Sequence, residues 1–180
     1  MTESAGRRVL ILGGARSGKS AHAEALLRDE PQVDYVATAT HDPADAEWAE
    51  RIARHRERRP AHWNTIETID LAAVLSRPGP AALVDSITAW LSETIGSVDA
   101  WRDAADALDL LAPQLDRTVG AWASTGRRVI AVSDEVGSGI VPAVASARMF
   151  RDALGLLNQR LAASADEVWL VTAGVPLRLR

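Results

Sequence analysis

Gly13-Gly14-Ala15-Arg16-Ser17-Gly18-Lys19-Ser20 fits the pattern G-x-x-x-x-G-K-[ST], and Lys19 is the only lysine beside nineteen arginines. Glycines at this spacing let backbone N–H groups wrap a phosphate, and a following helix adds the partial positive charge of its N-terminus. Lys19 would reach the β/γ-phosphates as a compact charge, and Ser20 would hold Mg²⁺. A planar guanidinium does not fit beneath such a loop. If surface lysines have drifted to arginine, the one that stays marks where geometry forbids the exchange.

Two acidic positions could join that chemistry. Asp85 ends the apolar run "AALVD", where a carboxylate beside a phosphate loop commonly supports Mg²⁺; the alternative is a cap for a helix beginning near Ser86. Asp134 and Glu135 end "VIAVSDE", with catalytic and turn readings evenly matched. The segment "RIARHRERRPAHW" places His55 in the last turn of a predicted helix, on one face with Trp48, Arg51 and Ile52. Arg54, Arg56, Arg58 and Arg59 surround it. Such a cluster reads either as a solvated basic helix end or as a second phosphate site, where cations favour a neutral, nucleophilic imidazole. On chemistry alone the solvated end is the simpler reading. His22, His41 and His62 lack the spacing of a metal site.

These residues need elements to hold them. "RRVLILGG" predicts a strand running through the glycine loop into the helix "SAHAEALLRDE". "VDYVATAT" predicts a second strand, and Asp42-Pro43 starts a helix that Pro60 stops. "AALVDS" reads as the third strand. Residues 87–124 read as mostly helical, with a break expected at Gly96 and a kink or second break at Pro113. "RRVIAVSDEV" is a fourth strand, "VASARMFRDALGLLNQRLAASAD" a long helix, and "EVWLVTAGVPLRLR" one or two closing strands. Continuous apolar strands alternating with helices predict an α/β fold whose sheet is mostly parallel and covered on both faces, within one domain over residues 1–180.

Composition excludes several classes. The chain is 47% apolar and 24% charged with net charge −4, so it offers no global attraction to nucleic acid, and its six tryptophans are too scattered for a stacking platform. With no cysteine, thiolate zinc sites, disulfides and cysteine nucleophiles are out. No stretch reads as a signal sequence or membrane span, which predicts a cytoplasmic protein with no membrane partner. A guanine-nucleotide switch usually reads its base with N-K-x-D, which a chain with no second lysine cannot contain. A small-molecule kinase of other specificity remains the main rival.

The order of "LGGARSGKSAHAEALL", "YVATAT", "RIARHRERRPAHWNTIE", "LVDSITAWLSE", "VSDEVGSGIVP" and "ARMFRDALGLLNQRLAASADEVWLVTAGVPLRL" resembles the bifunctional adenosylcobinamide kinase / adenosylcobinamide-phosphate guanylyltransferase family of cobalamin biosynthesis. The resemblance runs from about Val9 to Leu179. The loop is shared by many families; H-R-x-R-R-P-x-x-W and E-V-G-x-G-I-V-P are more specific. It implies a P-loop NTPase-type three-layer sandwich with an antiparallel edge strand. It implies phosphorylation of adenosylcobinamide by GTP or ATP with Mg²⁺, then transfer of GMP from GTP to adenosylcobinamide phosphate, releasing pyrophosphate. The guanylyl group would pass through His55, with Lys19 the other catalytic residue. Nucleotide contacts would fall on Gly13 to Ser20, on Thr38, Ala39 and Thr40, on Arg56, Glu57, Arg58 and Arg59, and on Glu67 and Asp85, with Ser20 and Asp85 on the metal side. A homo-oligomer is implied, with a trimer the suggested form. The chain departs from the family's pattern at Asp134, where Asn is frequent, and at Ser86, where Cys is frequent.

Overall fold

The computed structural model describes residues 7–39, 60–102 and 106–180. Seven strands form one sheet in the order β3-β2-β4-β5-β1-β6-β7. They are β1 (Arg8–Gly13), β2 (Val33–Ala37), β3 (Asn64–Glu67), β4 (Ala81–Asp85), β5 (Val129–Asp134), β6 (Glu167–Thr172) and β7 (Val175–Arg178). Every pairing is parallel except β6 with β7, which closes the edge as an antiparallel hairpin. The described helices are α1 (Lys19–Leu26), α2 (Leu71–Leu75), α3 (Ile87–Ser97), α4 (Ala107–Ser124) and α5 (Ala145–Ser164).

Strand side chains alternate between two cores, as the pleat requires. Val9, Ile11, Tyr35, Leu83, Ile130 and Val132 pack on the face that carries Ala23 and Leu27. Leu10, Val36, Ala82, Val84, Val129 and Ala131 face the opposite way, against α2 to α5. Sheet and helices thus form three layers, as expected. Leu10, Ile11, Leu83 and Leu111 are completely or almost completely buried, and each such side chain contributes about 1.5–3 kcal/mol. Trp122 fills the larger core and donates its indole N–H to Leu161 O at 3.1 Å.

Three local expectations change. "NTIE" is a strand that no apolar run announces, because β3 is an edge strand with an exposed surface; "AALVD" is therefore fourth in chain order. The short helix α2, capped by Asp70 accepting from Ala73 N at 3.1 Å, also lacked a signal in the sequence. The break expected at Gly96 falls one residue later, where α3 ends at Ser97 well before α4 begins at Ala107. Helix α4 runs through Pro113, because Leu111, Leu115, Thr118, Ala121 and Trp122 bury one continuous face across it. Tertiary packing overrides the lost backbone hydrogen bond. The expected helix from Asp42 to Pro60 lies outside the described residues.

Candidate active site

The parallel registers decide which residues meet. Ala37 of β2 is level with Glu67 of β3 on one side and Asp85 of β4 on the other. Gly13 of β1 is level with Asp134 of β5 and with Val171 of β6. The carboxyl ends of these strands therefore line one edge of the sheet, where open α/β folds take their ligands.

The glycine loop leaves β1 at this edge. Gly13 has no room for a side chain, since a Cβ there would collide with Ser17 and stand 2.6 Å from Val171 O. Ser17 N donates to Gly14 O at 3.2 Å and closes the turn. Arg16 adopts φ 57°, and Gly18 reaches φ 94°, a left-handed conformation that favours glycine. Gly18 then caps α1 without a side chain, leaving the first-turn N–H groups to whatever the loop holds. Ser17 Oγ is buried with no hydrogen-bond partner. Ala15 is exposed and Ser20 is half-buried on the first turn of α1. Lys19 turns back over the loop, donating to Gly14 O at 3.2 Å and pairing with Asp134 Oδ1 at 2.7 Å.

Asp85 is half-buried, and the buried Tyr35 hydroxyl donates to its Oδ2. The capping alternative goes elsewhere: Ser86 is the N-cap of α3, its hydroxyl accepting from Ala89 N at 3.2 Å. Asp85 therefore keeps its carboxylate at the strand end, ahead of a cis Asp85–Ser86 peptide. Thr38 is buried and committed to the backbone of Ser86, donating to Ser86 O at 2.6 Å and accepting from Ser86 N at 3.1 Å. Its hydroxyl ties β2 to β4, and Ala39 follows at the edge, half-buried. Glu67 stands exposed at the end of β3.

Asp134 was legible only as an acidic strand end. Its backbone is pinned by Thr88, Asn158 and Ser133: Asp134 N donates to Thr88 Oγ1 at 2.8 Å, and Asn158 Nδ2 donates to Asp134 O at 3.0 Å. Ser133 Oγ donates to Asn158 Oδ1 at 2.6 Å in the interior. Glu135 turns inward on its own loop, accepting from Gly137 N at 2.6 Å, which fits its turn reading. Thr40, His41, His55, Arg56, Glu57, Arg58 and Arg59 lie outside the described residues. His22 packs edge-on against Trp169 with centroids 5.2 Å apart, and burial lowers its pKa from 6.5. Among the described residues, no group of three or more His, Asp or Glu side chains is placed to hold a metal by itself.

A family model described as cobinamide kinase / cobinamide phosphate guanyltransferase matches residues 9–179. The chain is 41% identical to the bifunctional adenosylcobalamin biosynthesis protein CobU of Salmonella typhimurium, covering 96% of this chain and 99% of that protein. It is 38% identical to the Escherichia coli protein of the same name, with the same coverage. The Pseudomonas aeruginosa protein CobP is 39% identical over 96% of this chain and 97% of that one. Among solved structures, an ATPase from the type III secretion system of pathogenic bacteria superposes with a TM-score of 0.60 at 11% identity. That match spans 93% of this chain and 51% of the other, and it bears on the fold alone.

Proposed function

The chain belongs to the cobinamide kinase / cobinamide phosphate guanyltransferase family, and from that premise we propose how its residues divide the two activities. As a member it is a bifunctional enzyme of cobalamin biosynthesis that uses a nucleoside triphosphate. It phosphorylates adenosylcobinamide and then guanylylates the phosphate. Residues Gly13 to Ser20 bind the triphosphate, with Lys19 on the β/γ-phosphates. Helix α1 directs its N-terminus at them. The observation that carries this reading is the register that brings Gly13, Asp85 and Glu67 to one edge of the sheet, onto which the start of α1 turns Lys19.

The oxygen donors present suit Mg²⁺, which binds through one or two carboxylates plus substrate phosphates. Ser20 on the first turn of α1 and Asp85, oriented by Tyr35, are the residues that would hold it. When bound, the ion neutralises charge on the transferring phosphoryl group. For the kinase step the protein's own work is positioning: the loop fixes the triphosphate, the corrinoid hydroxyl attacks the γ-phosphorus in line and gives up its proton, and the bond to the β-phosphate oxygen breaks as the nucleoside diphosphate leaves. GTP or ATP can serve there.

The guanylyl step uses His55. An imidazole nitrogen attacks the α-phosphorus of GTP, a P–N bond forms, the bond to the β-phosphate oxygen breaks, and pyrophosphate leaves. An oxygen of adenosylcobinamide phosphate then attacks the same phosphorus and frees the histidine. Arg56, Arg58 and Arg59 supply positive charge for the α-phosphate and keep the imidazole neutral enough to attack. Thr38 to Thr40, Glu57 and Glu67 complete the nucleotide contacts.

Incubation with GTP and Mg²⁺ followed by intact-mass measurement tests the reading. The expected product is one GMP per chain, labile in acid and stable in base, and absent from His55→Ala, which keeps some kinase activity. A folded wild-type protein that takes up no GMP would sink the covalent route and favour a kinase of other specificity.

A further inference from the structure

Lys19 already has a partner where a phosphate would bind. Its ammonium sits 2.7 Å from Asp134 Oδ1, with only 13% of the lysine side chain and 27% of the aspartate side chain exposed. The carboxylate stands on a fixed strand end. Asp134 is level with Gly13 across the β1–β5 ladder, and Glu135 N donates to Gly13 O at 3.1 Å. Thr88 and Asn158 hold the peptide groups on either side of its Cα. A phosphate that reaches Lys19 must displace this carboxylate from the ammonium or settle beside it.

We propose that Asp134 is a charge gate on the phosphate loop, a residue that sets which ionic form of the ligand is admitted. It neutralises Lys19 while the loop is empty and repels a bare polyphosphate. A triphosphate chelated by a divalent cation carries less negative charge and meets less repulsion. The loop therefore selects the magnesium complex of a triphosphate over the metal-free anion. Metal-free pyrophosphate, the leaving group of guanylyl transfer, is rejected by the same charge. The gate rests on the reading of Gly13–Ser20 as a nucleotide loop. It adds a residue which that reading does not use.

The test compares wild type with Asp134→Asn at fixed ionic strength. Calorimetric titrations measure binding of GTP and of inorganic pyrophosphate, each with Mg²⁺ and with EDTA. Asparagine keeps the shape, and the bonds to Thr88 and Asn158 use only the backbone of residue 134, so the fold should persist. Asp134→Ser, with thermal unfolding of all three proteins, serves as the second variant. Removing one like charge from a partly shielded site should tighten metal-free GTP and pyrophosphate by about tenfold. Binding of the magnesium complex should change much less, so the ratio of Kd in EDTA to Kd in Mg²⁺ should shrink. An unchanged ratio in both variants overturns the gate. Parallel weakening in EDTA and Mg²⁺ also overturns it, since that is the behaviour of a residue that assists binding. A wild-type protein that binds GTP under neither condition removes the nucleotide reading and the gate with it.

Discussion

Gly174 donates its amide to the carbonyl of Ser17 at 2.8 Å, and its Cα lies 3.2 Å from where a Cβ on Gly18 would stand. The last hairpin of the chain therefore backs the first loop. Ala173 at φ 51° and Gly174 at φ 79° give the β6–β7 turn two consecutive left-handed residues, as a two-residue hairpin of matching twist requires. Gly18→Ala meets both a left-handed backbone and the Gly174 backbone. It should cost more stability than Gly174→Ala, whose Cβ points into open space and which bears only the conformational penalty of about 1–2 kcal/mol. Thermal unfolding of the two variants checks the order, and GTP titration should show the larger loss of affinity in Gly18→Ala.

Lys19→Arg keeps the charge and moves it. A guanidinium cannot occupy the place between Gly14 O and Asp134 Oδ1 in the same geometry. Kinase turnover should fall by on the order of 10²–10³ with folding intact, the loss typical of one preorganised charge contact. Wild-type affinity and turnover in the folded variant would contradict the assigned role of the loop.

Arg127 braces the opposite end of the sheet. It is buried, pairs with Asp34 Oδ2 at 2.5 Å, and donates to Val74 O at 3.2 Å and to Pro80 O at 2.7 Å. Arg127→Met strands the Asp34 carboxylate, so stability should drop by about 3–5 kcal/mol. Urea denaturation should show a lower midpoint with little change in slope. Folded Arg127→Met protein should bind GTP normally, because the brace lies away from the phosphate loop.

His22 sets a weak acid limit. Burial lowers its pKa from 6.5, and its Nε2 is buried without a partner, so the unfolded chain binds the proton more readily than the folded one. Stability is therefore whole above about pH 6.5 and declines as pH falls through the lower, folded-state value. His22→Phe keeps a ring against Trp169 and removes the proton. Its stability should fall less between pH 6.5 and 5 than that of the wild type, as read from urea midpoints across that range.

The phosphate loop, the strand ends at Asp85 and Asp134, and the long helix now seen as α5 were legible because each is a contiguous pattern. Glycine spacing, apolar runs and helical periodicity report on local backbone preference and on which face is buried. Edge strand β3 escaped because an exposed strand needs no apolar run. At Pro113 only the break reading fails, because packing against distant residues holds α4 together there. Asp85 also had a capping reading that only coordinates remove, since Ser86 does the capping. Local pattern was enough for the α/β class, the glycine loop and a family resemblance that the comparisons bear out. That Asp134 meets Lys19 and that Gly174 supports Gly18 emerges only once the elements are packed. Both contacts join segments far apart in the chain, and they follow from strand order and register. Those depend on how whole elements pack together, which no local stretch of residues specifies.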